Sequence, residues 1–176
     1  MVMTTFFPRL FMLAVVMVSL TIIGGFAWAD GSDTPGNALK IDDANSNGVF
    51  IPDDVDIDPN PTGDFSITIE FWINPVVSKS QVVIDKDGDT AGYRVYIGAN
   101  GRVRYQTGST EVHGDTLLST GNWYHVAVVS NAKSAAVYVN GLTNGSVTMA
   151  DNTDTSTDLF FGRRSNAFDS FLNGTL

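Results

Sequence analysis

Apolar and polar residues alternate most regularly between Phe65 and Ile73. Every second residue from Ile67 to Ile73 is a large apolar one, and the positions between them are Thr68, Glu70 and Trp72. A period of two places one set on each face of a β-strand. The pattern predicts a half-buried strand that ends at Asn74-Pro75.

The segment from Tyr93 to Gln106 predicts a β-hairpin. Its register follows if the apolar residues of both strands lie on the same face of the sheet. Residues that oppose one another in a ladder share a face. The predicted pairs are Ile97 with Val103, Val95 with Tyr105, Tyr96 with Arg104, and Arg94 with Gln106. Ala99-Asn100-Gly101 is then a three-residue loop, with Gly101 at the position that favours the left-handed conformation.

A second hairpin is predicted within Gly121 to Gly141. Pairing Val128 with Val137 and Val126 with Val139 leaves Asn131 to Ser134 as a four-residue turn. Both faces are largely apolar, which favours interior strands. We interpret His125 as a hydrogen-bonded core histidine of this scaffold, and Trp123 as core packing.

Five shorter segments are also predicted to be strands. They are 38–42, 48–51, 81–85, 158–162 and 171–176. No segment has a sustained helical period, and turn signals are closely spaced. The sequence predicts an all-β, two-sheet antiparallel sandwich, and a jelly roll best fits ten or more short strands.

The first 29 residues differ in character from the rest of the chain. An uncharged apolar run covers 10–26, and Ala27-Trp28-Ala29 follows it as a cleavage signature. This predicts a secretory signal peptide over 1–29, a polar lead-in over 30–36, and a secreted or cell-surface domain over 37–176. The alternative is an uncleaved membrane anchor, for which the run is at the short limit.

The charge balance narrows the classes of partner. The 176 residues include 10 Lys or Arg and 19 Asp or Glu, a net charge of −9, with no Cys. Such a charge argues against nucleic acid and against anionic membrane surfaces. Without disulfides, an exported domain depends on its core and on any bound metal.

Enzymatic hydrolysis needs a second carboxylate near Glu70, and the pattern does not supply one. A retaining glycosidase holds two carboxyl groups about 5 Å apart. The residues that follow Glu70 on its face are Trp72 and Asn74, neither acidic, and Glu111 belongs to another segment. We therefore predict a domain that is not an enzyme.

The polar faces of the predicted strands carry the candidate ligand residues. These combine aromatic rings with hydrogen-bonding groups: Glu70, Trp72, Arg94, Tyr96 and Arg104. A flat apolar patch beside polar groups suits sugar recognition. The local arginines, including Arg102, favour a sulfated or uronic-acid glycan. The alternative is ordinary cross-strand pairing of Tyr96 with Arg104.

The ordered set of strands resembles a laminin-G-like, concanavalin A-like jelly-roll domain across 37–176. The segments that carry the resemblance are 37–42 (NALKID), 65–73 (FSITIEFWI), 92–96 (GYRVY), 121–128 (GNWYHVAV), 137–141 (VYVNG), 159–162 (LFFG) and 171–174 (FLNG). The resemblance implies an extracellular binding module. It also implies a closing strand after Asn173-Gly174, so we expect a C-terminally truncated domain with an unpaired edge beside its first strand.

The resemblance further implies a possible Ca²⁺ site, for which Asp42 and Asp43 are the best-matched residues. The carboxylates of 53–58 lie between prolines and are interpreted as an exposed linker. Asp85 to Asp89 lacks the spacing of an EF-hand and is interpreted as an acidic turn.

Three functions stay open, in order of preference. The first is recognition of a glycan or an extracellular protein partner, without nucleic-acid binding and without a membrane role beyond the signal segment. The second is a structural or adhesive β-domain of a larger surface protein. The third is a glycoside hydrolase.

Overall fold

The computed structural model describes residues 38–41, 48–58, 66–86, 91–131, 133–148, 156–165 and 170–176. All of them belong to one compact unit, Pro35–Leu176. The strands in these ranges are β1 Lys40–Ile41, β2 Val49–Ile51, β3 Ile67–Pro75, β4 Gln81–Lys86, β5 Tyr93–Ile97, β6 Arg102–Thr107, β7 Thr110–Leu117, β8 Tyr124–Asn131, β9 Ser134–Val139, β10 Leu142–Thr148, β11 Leu159–Phe161 and β12 Gly174–Thr175. A short 3₁₀ turn spans Val55–Ile57.

The strands form two six-stranded sheets, which we call the front and back sheets. The front sheet has the order β1-β12-β3-β8-β9-β10, and the back sheet has the order β2-β11-β4-β5-β6-β7. Every pairing between neighbours is antiparallel. The prediction of an all-β, two-sheet antiparallel sandwich is confirmed.

The hydrophobic core lies between the two sheets. The front sheet contributes fully buried side chains such as Ile73, Val126 and Val137, and the back sheet contributes Val95 and Tyr105. Along β3 the predicted inward set is the buried one, with Ile69 and Ile73 in the core and Ile67 and Phe71 packed against it. The alternate residues of each strand therefore form two outer faces, one on each sheet.

The β5–β6 hairpin has the predicted register, including the pairs Ile97–Val103 and Tyr96–Arg104. Gly98 N donates to Arg102 O at 2.9 Å, and Gly101 N donates to Gly98 O at 2.8 Å. Gly101 has φ = +76°, the left-handed conformation that the three-residue loop requires.

The β8–β9 hairpin also pairs Val126 with Val139 and Val128 with Val137, as predicted. Asn131 and Ser134 pair with each other, so they are the first and last residues of the predicted four-residue turn and the strands continue up to them. The Asn131 side chain stabilises this turn: its Oδ1 accepts the backbone N–H groups of Lys133 at 3.2 Å and Ser134 at 3.0 Å.

Strands β3 and β4 both extend further toward the C-terminus than predicted. Strand β3 continues to Pro75, which pairs with Gly174 of β12. Strand β4 includes Lys86, which was expected in a turn and instead pairs with Tyr93 of β5. In both cases pairing with another strand extends the ladder beyond the local turn signal, and for β3 that strand is distant in sequence.

Lys86 also explains the acidic segment that precedes β3. Its Nζ lies 2.6 Å from Asp53 Oδ1 and 2.7 Å from Asp58 Oδ1, and it donates to Thr157 O at 2.6 Å. Burial by itself lowers the pKa of Lys86, but hydrogen bonds and charge from the two carboxylates outweigh it and raise that pKa. The interpretation of this segment as an exposed linker is therefore wrong at Asp58, whose side chain is largely buried, whereas Asp53 is exposed and ion-paired.

Strand β12 lies between β1 and β3. Leu39 and Leu176 exchange two backbone hydrogen bonds of 2.9 Å, which continue the β1–β12 ladder. The position between β1 and β3 is thus occupied by Gly174–Thr175, and β1 is the outermost strand of the front sheet among the described residues. The predicted closing strand beyond Gly174 stays a prediction.

Candidate functional site

The five predicted ligand residues lie on two different outer faces. Glu70 and Trp72 belong to β3 of the front sheet, whereas Arg94, Tyr96 and Arg104 belong to β5 and β6 of the back sheet. The outer faces of two packed sheets point away from each other. The five residues therefore do not form one surface, because alternation identifies an outward side chain but not the sheet that carries it.

The central residue of the front face is Trp72, which is 58% exposed. Trp72 pairs with His125 across β3 and β8, and their ring centroids are 5.3 Å apart at an interplanar angle of 55°. His125 Nε2 lies 3.7 Å from Glu70 Oε2. An indole, an imidazole and a carboxylate thus meet on one open surface.

His125 is not the core residue that the sequence suggested. Its backbone is held by Asn140, whose Oδ1 accepts His125 N–H at 2.9 Å and whose own N–H donates to His125 O at 2.8 Å. The imidazole is consequently placed on the outer face, against Trp72. Trp123, also expected in the core, is 40% exposed.

The same face continues beside this aromatic pair on the next row of residues. The register places Glu70, Ala127 and Tyr138 side by side across β3, β8 and β9. Ala127 and Tyr138 are both half-buried. We call the surface made by Glu70, Trp72, His125, Ala127 and Tyr138 the Trp72 face.

Sequence reasoning missed His125 and Tyr138 as members of this face. The β8–β9 register already indicated that His125, Ala127 and Tyr138 point the same way. What could not be inferred is that β3 pairs with β8, since 48 residues, which include four other strands and their loops, intervene between Pro75 and Tyr124. That pairing brings Trp72 to His125.

The back face carries the three other predicted residues, and we call it the arginine face. Tyr96 lies between two guanidinium groups, with Arg94 Cζ 5.0 Å and Arg104 Cζ 5.8 Å from its ring centroid. Arg94 donates to Gln106 Oε1, and Arg104 lies 3.4 Å from Glu111 Oε2. These contacts are the cross-strand pairing that we had kept as the alternative.

Arg102 is part of the same hairpin and holds β6 to β7. Its guanidinium donates to Gly114 O at 3.1 Å and to Asp115 O. The three arginine side chains thus make hydrogen bonds or ion pairs with other residues of the domain. The Trp72 face is the more open of the two surfaces.

The two glutamates are on different sheets. Glu70 lies on β3 in the front sheet, whereas Glu111 lies on β7 in the back sheet, against His113 Nε2. They cannot form the pair of adjacent carboxylates that glycoside hydrolysis requires. The Trp72 face can stack on an apolar ring and exchange hydrogen bonds through a carboxylate and an imidazole.

The predicted Ca²⁺ ligands, Asp42 and Asp43, lie outside the described residues. Within the described ranges, no group of three or more His, Cys, Asp or Glu side chains could hold a metal ion. The predicted signal segment, 1–29, also lies outside them. In the part of the chain that the structure describes, no helix has the length and apolar character to cross a membrane.

Solved structures with this fold come from several kinds of protein. A candidate carbohydrate-binding protein from Bacteroides ovatus ATCC 8483 is 22% identical, with a TM-score of 0.57 over 78% of this chain and 40% of that chain. Mouse laminin α1 domains LG4-5 are 17% identical, with a TM-score of 0.56 over 82% and 42%. The CBM40 of Ruminococcus gnavus IT-sialidase, bound to α2,3-sialyllactose, is 13% identical, with a TM-score of 0.54 over 73% and 85%.

The chain therefore spans less than half of the length of the Bacteroides ovatus protein and of the laminin α1 LG4-5 chain. Among curated protein sequences, none matches this chain. A family profile described as the concanavalin A-like lectin/glucanases superfamily, of the laminin G type, matches residues 43–176. The chain belongs to the laminin G branch of the concanavalin A-like lectin/glucanase superfamily.

Proposed function

We propose that this domain is a non-catalytic carbohydrate-binding module and that the Trp72 face is its ligand site. The observation that carries the proposal is that Trp72, on an interior strand of the front sheet, is 58% exposed to solvent. Large aromatic side chains gain free energy when they are buried. A ligand with a flat apolar surface would cover this ring.

The neighbours of Trp72 supply what a sugar needs besides a stacking surface. Glu70 accepts hydrogen bonds from hydroxyl groups, and His125 donates or accepts through its ring nitrogens. The His125 ring packs against the indole and limits its rotation, so less conformational entropy is lost on binding. The small side chain of Ala127 leaves space between Glu70 and Tyr138.

The comparisons support a binding function of this class. One similar structure is a sialidase CBM40 bound to sialyllactose, and another is a candidate carbohydrate-binding protein. These similarities concern the fold. The sugar chemistry is proposed from the Trp72 face, and export to the cell surface or beyond is proposed from the signal segment predicted at 1–29.

Affinity measurements on immobilised glycans test the proposal. We expect Trp72→Ala to weaken retention about tenfold or more, because it removes the stacking surface. Trp72→Phe should retain part of the affinity. Leu117→Ala is the matched control, since Leu117 on the back sheet is also 58% exposed, and it should bind like the parent protein.

Two results would contradict the proposal. One is a parent protein that retains no glycan, which would favour the structural or adhesive function. The other is Trp72→Ala binding as well as the parent. Circular dichroism of each variant separates a lost site from a lost fold.

A chelator in the same experiment tests the proposed Ca²⁺ at Asp42 and Asp43. Retention that falls with EDTA and returns with added Ca²⁺ would support a calcium-dependent module. Retention that is unchanged by EDTA would contradict calcium dependence, and it would leave the proposed role of Trp72 intact.

A further inference from the structure

A second concave site lies on the outer face of the back sheet, at the edge formed by β2 and β11. Its volume is about 360 Å³, and it is lined by Gly48, Phe50, Asp158, Phe160 and Arg163. We call it the Phe50 cleft. None of these residues was among the predicted ligand residues.

The register of β2 and β11 builds the apolar part of the cleft. Phe50 and Phe160 are directly opposed, and their ring centroids are 6.0 Å apart at an interplanar angle of 34°. Phe50 is 58% exposed. Phe50 therefore presents apolar surface to solvent, as Trp72 does on the front sheet, and the half-buried Phe160 ring lies beside it.

A guanidinium and a carboxylate border these rings. Arg163 Cζ lies 4.3 Å from the Phe160 ring centroid. Gly48 makes room for this arginine, because a Cβ at Gly48 would be 3.0 Å from both Arg163 Cγ and Phe161 O. Asp158 is positioned by Asp53, whose N–H donates to Asp158 Oδ1 at 3.0 Å.

We propose that the Phe50 cleft is a second carbohydrate site, specific for a neutral pyranose ring. The phenyl rings offer stacking surface for the C–H face of a sugar. Arg163 donates and Asp158 accepts, which suits hydroxyl groups because each hydroxyl both donates and accepts. The volume is near the lower end for small-molecule sites and suits a mono- or disaccharide.

The charges in the lining favour a neutral ligand. Arg163 and Asp158 both border the cleft, so the carboxylate of a uronic acid or sialic acid that is attracted to Arg163 is also repelled by Asp158. A purely apolar ligand would desolvate both groups without hydrogen bonds, at a cost in free energy. A neutral polyol avoids both penalties.

The two sites make the domain bivalent. The Trp72 face lies on the front sheet and the Phe50 cleft on the back sheet, so one domain contacts two glycan chains from opposite sides. On a surface with many glycan chains, occupation of both sites raises the apparent affinity above that of either site. The second site itself does not depend on the Trp72 face being a sugar site, whereas the bivalence rests on that proposed function.

Titration of the ¹⁵N-labelled domain with lactose, cellobiose and maltose tests the inference. We expect at least one disaccharide to shift the amide resonances of Phe50, Phe160 and Arg163. Phe50→Ala should abolish those shifts and leave the resonances of β3 and β8 unchanged. Phe50→Leu preserves an apolar residue in β2 and should weaken binding about tenfold, because it lacks a flat ring.

The outcomes separate the two sites. Shifts in the cleft that survive Phe50→Ala, or no shift in the cleft with any of the three disaccharides, would overturn the second site. A larger response in the cleft to glucuronic acid than to glucose would overturn its neutral specificity. Shifts in the cleft without shifts at the Trp72 face would support the second site and count against the proposed function of Trp72.

Discussion

At the scale of single residues, tertiary partners decide what a charged or aromatic side chain does. Lys86 was expected in an exposed acidic turn, yet its side chain is fully buried between Asp53 and Asp58. Tyr93, its partner across β4 and β5, is buried as well and donates its hydroxyl to Ile57 O at 3.1 Å. Both groups therefore titrate in an environment that the local sequence does not reveal.

The free energy of unfolding should fall as the pH rises above about 10. Burial first, and then the charges of Tyr105 and Asp58, raise the pKa of Tyr93 above its ordinary value of 10.0. Asp53 and Asp58 raise the pKa of Lys86 above 10.5. The folded domain holds both protons more tightly than the unfolded chain, so this stabilisation is complete below those values and is lost above them. Urea unfolding between pH 8 and about 11 measures the decline.

Tyr93→Phe isolates the tyrosine contribution. The variant should lose about 1 kcal/mol at neutral pH with the hydrogen bond to Ile57, and its stability should decline less steeply above pH 10. A decline as steep as that of the parent protein would show that Tyr93 does not contribute to the pH dependence.

At the scale of elements, the hairpins follow local rules. The β5–β6 loop was predicted from face matching alone, and its register and its left-handed glycine are both as predicted. The β8–β9 register was also predicted, but the side chain that stabilises its turn was not. An asparagine that accepts hydrogen bonds from its own turn is a local device that face matching does not detect.

Gly101→Ala should destabilise the domain more than Gly121→Ala does. Both glycines have positive φ, +76° and +83°, which costs an L-residue about 1 to 2 kcal/mol. A Cβ at Gly101 would also be 3.1 Å from Leu118 O, whereas a Cβ at Gly121 has nothing within 4 Å. We expect a loss of about 1 kcal/mol for Gly121→Ala and about 2 kcal/mol for Gly101→Ala. Equal denaturant midpoints would show that the backbone near Leu118 yields to the added methyl group.

At the scale of the whole molecule, pairings between distant segments close the sandwich. Gly174 of β12 pairs with Ile41 of β1 on one side and with Pro75 of β3 on the other. A Cβ at Gly174 would be 2.7 Å from Asn74 O and 3.1 Å from Pro75 Cα, both backbone atoms. This close approach permits three segments that are far apart in the chain to form neighbouring strands.

Gly174→Ala should therefore open this end of the front sheet. We expect a loss of about 1 to 3 kcal/mol, because backbone atoms cannot move aside as a side chain does. Hydrogen exchange at the amides of Leu39 and Leu176 should accelerate, since these bond to each other beside β12. Thr175→Ala adds no bulk and is the control. Unchanged exchange in Gly174→Ala would mean that β12 does not hold β1 in place.

The sequence by itself determined the fold class, the two hairpin registers and the outward direction of Glu70, Trp72, Arg94, Tyr96 and Arg104. These follow from side-chain alternation and turn chemistry, which act over a few residues. Only the tertiary structure decided which strands are neighbours. That choice separates Trp72 from the arginine face, brings it to His125, and places Phe50 beside Phe160. The physical reason is that pairing between distant strands depends on how two whole sheets cover a common core, and no local pattern encodes that arrangement.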